Sequence, residues 1–169
     1  VIFLSLIFSA FFSGMEIAFV SANRLKIELD KKQKSAVSRI VERFTDKPGQ
    51  YISTMLVGNN IALVIYGIYF AKLAEEYFLK DLITSDFLML LTQTILSTLI
   101  ILVTAEFLPK TVFSQNSNYL LFKLAIPVSF FYTVFYPIAV FSVTLSNIFI
   151  RLFTKHSEDD ENDSLEEHV

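Results

Sequence analysis

The chain has 169 residues, 53% of them hydrophobic, with a mean hydropathy of +0.53 and a charged fraction of 18%, below the quarter usual in soluble domains. It holds no cysteine, and its two histidines, His156 and His168, lie in a polar tail; this excludes disulfides, thiol catalysis and an intramembrane zinc site. The net charge of −3 is dominated by that tail and decides nothing about fold, and no nucleic-acid partner is expected.

Charges are clustered, which leaves long uncharged windows at 51–71, 87–105 and 124–150, while 1–23 contains only Glu16. A helix needs about 20 apolar residues to cross a bilayer. The first span is predicted at 1–20. It lacks the basic start and the A-x-A cleavage site of a signal peptide, and it continues into Ser13-Gly14-Met15-Glu16. Val1 is not an initiator Met and already sits in an apolar run, so a piece of a longer protein is expected.

A basic loop follows at 24–47, carrying Arg24, Lys26, Lys31, Lys32, Lys34, Arg39, Arg43 and Lys47. The positive-inside rule puts it in the cytoplasm and the N-terminus outside. Val37, Ile40, Val41 and Phe44 fall at i, i+3, i+4 and i+7, one apolar helical face, so a short helical hairpin against the membrane is predicted. Asp46-Lys47-Pro48-Gly49 breaks it.

The second span is predicted at 51–73, with Gly58-Asn59-Asn60 near its cytoplasmic third, and the third at 87–108, returning to the cytoplasm at Lys110. The segment 124–153 is long enough to cross, but Pro127 and Pro137 would each kink it. A crossing and a bent helix along the bilayer surface are both open for it. Residues 154–169 read as an acidic linker.

Glu106 carries the most information. It ends an uncharged stretch, and a carboxylate in an apolar span costs several kcal/mol, so such residues usually serve an ion path or a buried partner. Pro109 has no N–H, so the carbonyl of Ala105 loses its helical donor and lies free beside the carboxylate. Ser13-Gly14-Glu16 in the first span, Gly58-Asn59-Asn60 in the second and Ala105-Glu106 with Pro109 in the third each bring hard oxygen donors beside a residue that loosens a helix. Such donors suit Mg²⁺ or Na⁺. Bland readings stand beside this one. Taken alone, Ser13-Gly14 reads as a small-residue helix contact and Glu16 as a partner of the basic loop, while the asparagines are open to a reading as interhelical hydrogen bonds and Glu106 to one as the partner of Lys110.

Three strings resemble the membrane domain of the cyclin M (CNNM/CorC) family, which is linked to Mg²⁺ transport. They are Phe12-Ser13-Gly14-Met15-Glu16-Ile17-Ala18, Leu56-Val57-Gly58-Asn59-Asn60-Ile61-Ala62 and Ala105-Glu106-Phe107-Leu108-Pro109-Lys110-Thr111. The resemblance implies an all-α membrane domain at 1–153, with three spans and a kinked juxtamembrane belt helix that does not cross, in the inner (plasma) membrane. It also implies a homodimer, and a cytosolic CBS-pair domain beyond the acidic linker. The implied function is outward movement of Mg²⁺ against Na⁺. The implied ligands are the Ser13 hydroxyl, the Asn59 amide, the Ala105 carbonyl and the Glu106 carboxylate, supported by Gly14, Glu16, Gly58, Asn60, Pro109 and Lys110. Leu63 stands where family members often carry a second asparagine, so one oxygen ligand is missing. The alternative is a non-transporting membrane anchor of the same fold. An intramembrane enzyme is not expected, because Ser13 has no histidine or span lysine to act as its base.

Overall fold

A computed structural model of the chain describes residues 1–31, 35–79 and 85–150. Among these residues every regular element is a helix: α1 (Ile2–Ser21), α2 (Arg24–Lys31), α3 (Ala36–Asp46), α4 (Pro48–Ala74), α5 (Asp86–Ile101), α6 (Leu108–Gln115), α7 (Ser117–Lys123), α8 (Ala125–Val134) and α9 (Tyr136–Ile150). Two π-helical turns interrupt the sequence of α-helices, Glu75–Leu79 after α4 and Leu102–Phe107 between α5 and α6. The acidic segment expected at 154–169 lies outside the described residues.

Three continuous helical runs are long and apolar enough to cross a membrane: Ile2–Ser21, Pro48–Tyr77 and Asp86–Gln115. The protein is therefore an all-α membrane protein. The second run starts at Pro48 rather than 51, because proline's fixed φ and missing N–H suit the first helical position. The third continues past 108 to Gln115. Pro109 does not end it; a widened π turn just before the ring absorbs the clash with the preceding turn.

The spans pack around α1. In lipid there is little hydrophobic drive between helices, so association relies on close approach and hydrogen bonds, and small or hydroxylated residues are favoured at the contact. The face of α1 buried against its neighbours fits this, with Ser5, Ser9, Ser13, Gly14 and Ala18 beside Phe12 and Met15. By contrast α5 buries no residue at all. Only the continuation of that span, through Ala105 and Pro109, is buried against the rest.

The basic hairpin is helical as its periodicity predicts. Ser35 caps α3 by accepting the Ser38 N–H at 3.0 Å. Val41 and Phe44 are fully buried, and Val37 and Ile40 pack against the same core. Phe44 meets Tyr51 of α4 and Tyr132 of α8, with ring centroids 4.9 and 5.3 Å away. The hairpin is thus keyed into the helical bundle rather than resting on it. The helix α7, which the sequence did not single out, ties in through Ser117, whose hydroxyl donates to the Ser21 carbonyl at 3.2 Å. Beyond it α8 and α9 form an apolar pair bent by 72° at Phe135. This is the kink expected in 124–153, and it lies two residues before Pro137, whose fixed φ and missing N–H suit the first turn of α9. Phe131 of α8 packs edge-on against Phe12 of α1 at 4.9 Å, which fastens the bent pair to the spans.

Candidate functional site

The three strings singled out in the sequence converge on the middle of α1, and two glycines explain how. A methyl group on Gly14 would lie 2.7 Å from the ring of Phe113 in α6, and one on Gly58 would lie 2.6 Å from the ring of Phe12 in α1. Each glycine therefore seats an aromatic ring from the facing helix, a contact that any Cβ would block. Gly14 brings α6 onto α1, and Gly58 brings α4 onto α1, at neighbouring levels.

Between these two contacts lies Ser13, 1% exposed, whose hydroxyl has no hydrogen-bond partner. A buried unsatisfied hydroxyl is costly, so its presence calls for an explanation. One turn earlier, the buried Ser9 hydroxyl donates to Asn59 Oδ1 at 2.6 Å and ties α1 to α4. Asn59 is half-buried, while its neighbour Asn60 is exposed and takes no part in this contact. Tyr51 of α4, also fully buried, donates its hydroxyl to the Met15 carbonyl at 3.2 Å.

The third string enters through the π turn. Ala105 is fully buried within it, and the Leu108 N–H reaches back five residues to the Val103 carbonyl. Pro109 offers no N–H to Ala105, so the register change and the missing donor fall at the same place. Glu106 is half-buried and lies 4.0 Å from the Lys110 ammonium one turn on. Glu16 on α1, also half-buried, feels the charges of both Lys110 and Glu106. The structure thus assembles Ser13, Gly14, Gly58 and Asn59 around α1, with Ala105 and Pro109 packed in from the third span. Glu106 and Lys110 form a pair at the edge of that assembly.

Chemically, the assembly offers a hydroxyl, an amide oxygen, a peptide carbonyl and a carboxylate, all hard donors. Among the described residues no group of three or more His, Cys, Asp or Glu is placed to hold a metal. A cation there would therefore be held mainly by neutral oxygens. Ser9 was missed by the sequence reading. Its signal was present: Ser5, Ser9 and Ser13 recur every fourth residue, the spacing of one helix face.

This architecture defines a multi-pass helical membrane domain with a polar break at the junction of its three spans. The cyclin M transmembrane N-terminal domain model matches residues 1–168, and the chain belongs to that family. It is 33% identical over 135 residues to the UPF0053 protein MG146 homolog of Mycoplasma pneumoniae, covering 77% of this chain and 30% of that protein. It is 30% identical over 122 residues to the UPF0053 inner membrane protein YfjD of Escherichia coli, covering 72% and 26%. The UPF0053 protein MG146 of Mycoplasma genitalium is 33% identical over 147 residues, covering 82% and 33%. The chain spans about a third or less of the length of these relatives.

Proposed function

We propose that this chain is the membrane domain of a divalent-cation transporter that moves Mg²⁺ out of the cell in exchange for Na⁺, from a site open to the cytoplasm. The observation that carries the reading is the buried, unpartnered Ser13 hydroxyl, one turn along α1 from the Ser9–Asn59 bond, on the helix that the π turn holding Ala105 and Glu106 packs against. A bound cation would satisfy that hydroxyl. Ser13, Asn59 and the Ala105 carbonyl would supply neutral oxygens, and Glu106 the charge. Lys110 serves as the counter-ion of Glu106 in the cation-free state and exchanges with the arriving ion. Mg²⁺ retains water readily, which accommodates Leu63 in place of a further oxygen ligand. Glu16 adds negative potential to the same neighbourhood. The concentration of basic residues in α2 and α3 supports a cytoplasmic hairpin, an outside N-terminus and a cytoplasmic C-terminal end. In the whole protein we infer a homodimer and a following cytosolic CBS-pair domain.

The test is thermal stability in detergent with and without millimolar Mg²⁺. Wild type is expected to be stabilised, and Glu106→Gln to fold normally without that gain. An ion-independent melting temperature in wild type would sink the site. Flux in liposomes, compared between wild type and Leu63→Asn, then separates transport from binding, with the added ligand expected to strengthen both. A second reading, a non-transporting membrane anchor, draws support from Leu63 and from the existing Glu106–Lys110 pair. It requires that Mg²⁺ change neither stability nor flux in any variant.

A further inference from the structure

A second polar cavity lies away from the spans' junction, between the basic hairpin and the bend of α8 and α9. Its volume is about 420 Å³. One wall is basic: Arg39 and Arg43, one turn apart on α3, with Lys47 at the residue that caps its C-terminal end. The opposite wall is Tyr132, Thr133 and Tyr136, at the end of α8 and the start of α9. The orientation of the basic face is fixed, because Val41 and Phe44 anchor the other side of α3 in the core and the Phe44 ring packs against Tyr132. Like charges four residues apart destabilise a helix. Glu42 and Asp46 also line the cavity, yet among the described residues neither forms an ion pair with Arg39, Arg43 or Lys47. The guanidinium groups thus keep their donors, and Arg43 is close enough for its charge to act on Tyr132.

We propose that this cavity is a binding site for the headgroup phosphate of a membrane phospholipid. Arginine presents a planar fork of donors that matches phosphate oxygens, and tyrosine hydroxyls across the cavity complete the cradle. Charge selects the form of phosphate. Three basic residues less two acidic ones leave one net positive charge, which a phosphodiester's single negative charge balances throughout the neutral range, whereas free phosphate there is divided between singly and doubly charged forms. The setting selects the source. Phe130, Val134 and Ile138 on the two helices that form the bend are exposed and apolar, and the bent pair is apolar enough to lie in a bilayer. Acyl chains attached to a phosphate in the cavity can cover that surface. The inference rests on the membrane placement of the fold and not on the cation reading.

The test is thermal unfolding of the detergent-purified chain, titrated with dioctanoyl phosphatidylglycerol, with inorganic phosphate in a parallel arm. Wild type is expected to be stabilised saturably by the lipid and not by phosphate at equal concentration. Arg43→Gln should weaken that response at least tenfold, and the triple change Arg39→Gln, Arg43→Gln, Lys47→Gln should remove it. Lys26→Gln, on the same basic hairpin outside the cavity, should leave it intact, and Mg²⁺ should still stabilise Arg43→Gln if it stabilises wild type. Equal losses in Lys26→Gln and Arg43→Gln would reduce the effect to general surface charge and overturn the site. Equal protection by inorganic phosphate would overturn the lipid source. So would protection by a synthetic acidic peptide with none by lipid.

Discussion

Gly14 and Gly58 act through what they lack, since each admits a phenyl ring to the space a side chain would fill. The same close approach brings Ser13 and Asn59 to neighbouring levels of the bundle, so packing and site geometry share these two positions. Gly14→Ala would force Phe113 aside, and overpacking of this kind costs about 1–3 kcal/mol. The measurable outcome is a lower melting temperature in detergent, restored in large part by the compensating Phe113→Leu; additive losses in the double variant would show that the ring contact is not the cause. Ser9 makes a different contribution. Its 2.6 Å bond to Asn59 is interhelical, and such bonds in membrane proteins are worth about 1 kcal/mol. Ser9→Ala should therefore lower stability by about that amount. Ser5→Ala should change it little, because the Ser5 hydroxyl only bonds the Val1 carbonyl of its own helix. Equal effects of the two changes would mean that the contact between α1 and α4 is held by packing alone.

At the scale of the element, the π turn at Leu102–Phe107 is the feature that most affects chemistry. An extra residue in one turn rotates the helix on one side of it by about 100° relative to the other. Ala105 can then be buried while Glu106 stays half-exposed beside Lys110, and the span continues unbroken to Gln115. Pro109→Ala returns a donor to Ala105 and removes the reason for the wide turn. The expected result is equal or higher thermal stability, because a proline is lost from a helix interior, with the Mg²⁺-dependent gain diminished or absent. An undiminished Mg²⁺ response in Pro109→Ala would show that the turn does not set the aim of these groups. Much of this was legible in advance. The spans follow from uncharged windows, α3 from its i, i+3, i+4, i+7 pattern, and the bend at Phe135 from a proline two residues on. Proline and the lone carboxylate marked the third-span break before any geometry was known. The helical continuation to Gln115 was not legible, because a proline that ends a helix and one absorbed by a π turn have the same local sequence. Neither was α7, too short to show a period, nor the role of Ser9, whose partner lies fifty residues away. That Gly14 and Gly58 face rings could not be read either, since the rings come from other helices.

For the molecule as a whole, the imbalance between α1 and α5 poses the question of what covers the third span. The first span buries a face against its neighbours, whereas α5 has no fully buried residue, and Leu88, Leu91, Ile95, Leu96 and Leu99 along it are all exposed. Lipid can solvate such a helix, since its surface is apolar throughout, so exposure alone does not choose between lipid and protein. Periodicity can. A helix facing lipid on all sides presents equivalent positions, while one seated against a second copy presents one stripe that repeats every three to four residues. The chain contains no cysteine, so single cysteines placed in turn from 95 to 103 report on one position each without background. Under mild oxidation in native membranes, disulfide-linked dimers are expected at positions spaced three or four apart and not at those between. A symmetric dimer would bring each stripe residue close to its own copy, which is the geometry a disulfide needs. Uniform low cross-linking at every position would leave α5 as a lipid-facing helix. The homodimer would then have to form through another surface or be abandoned.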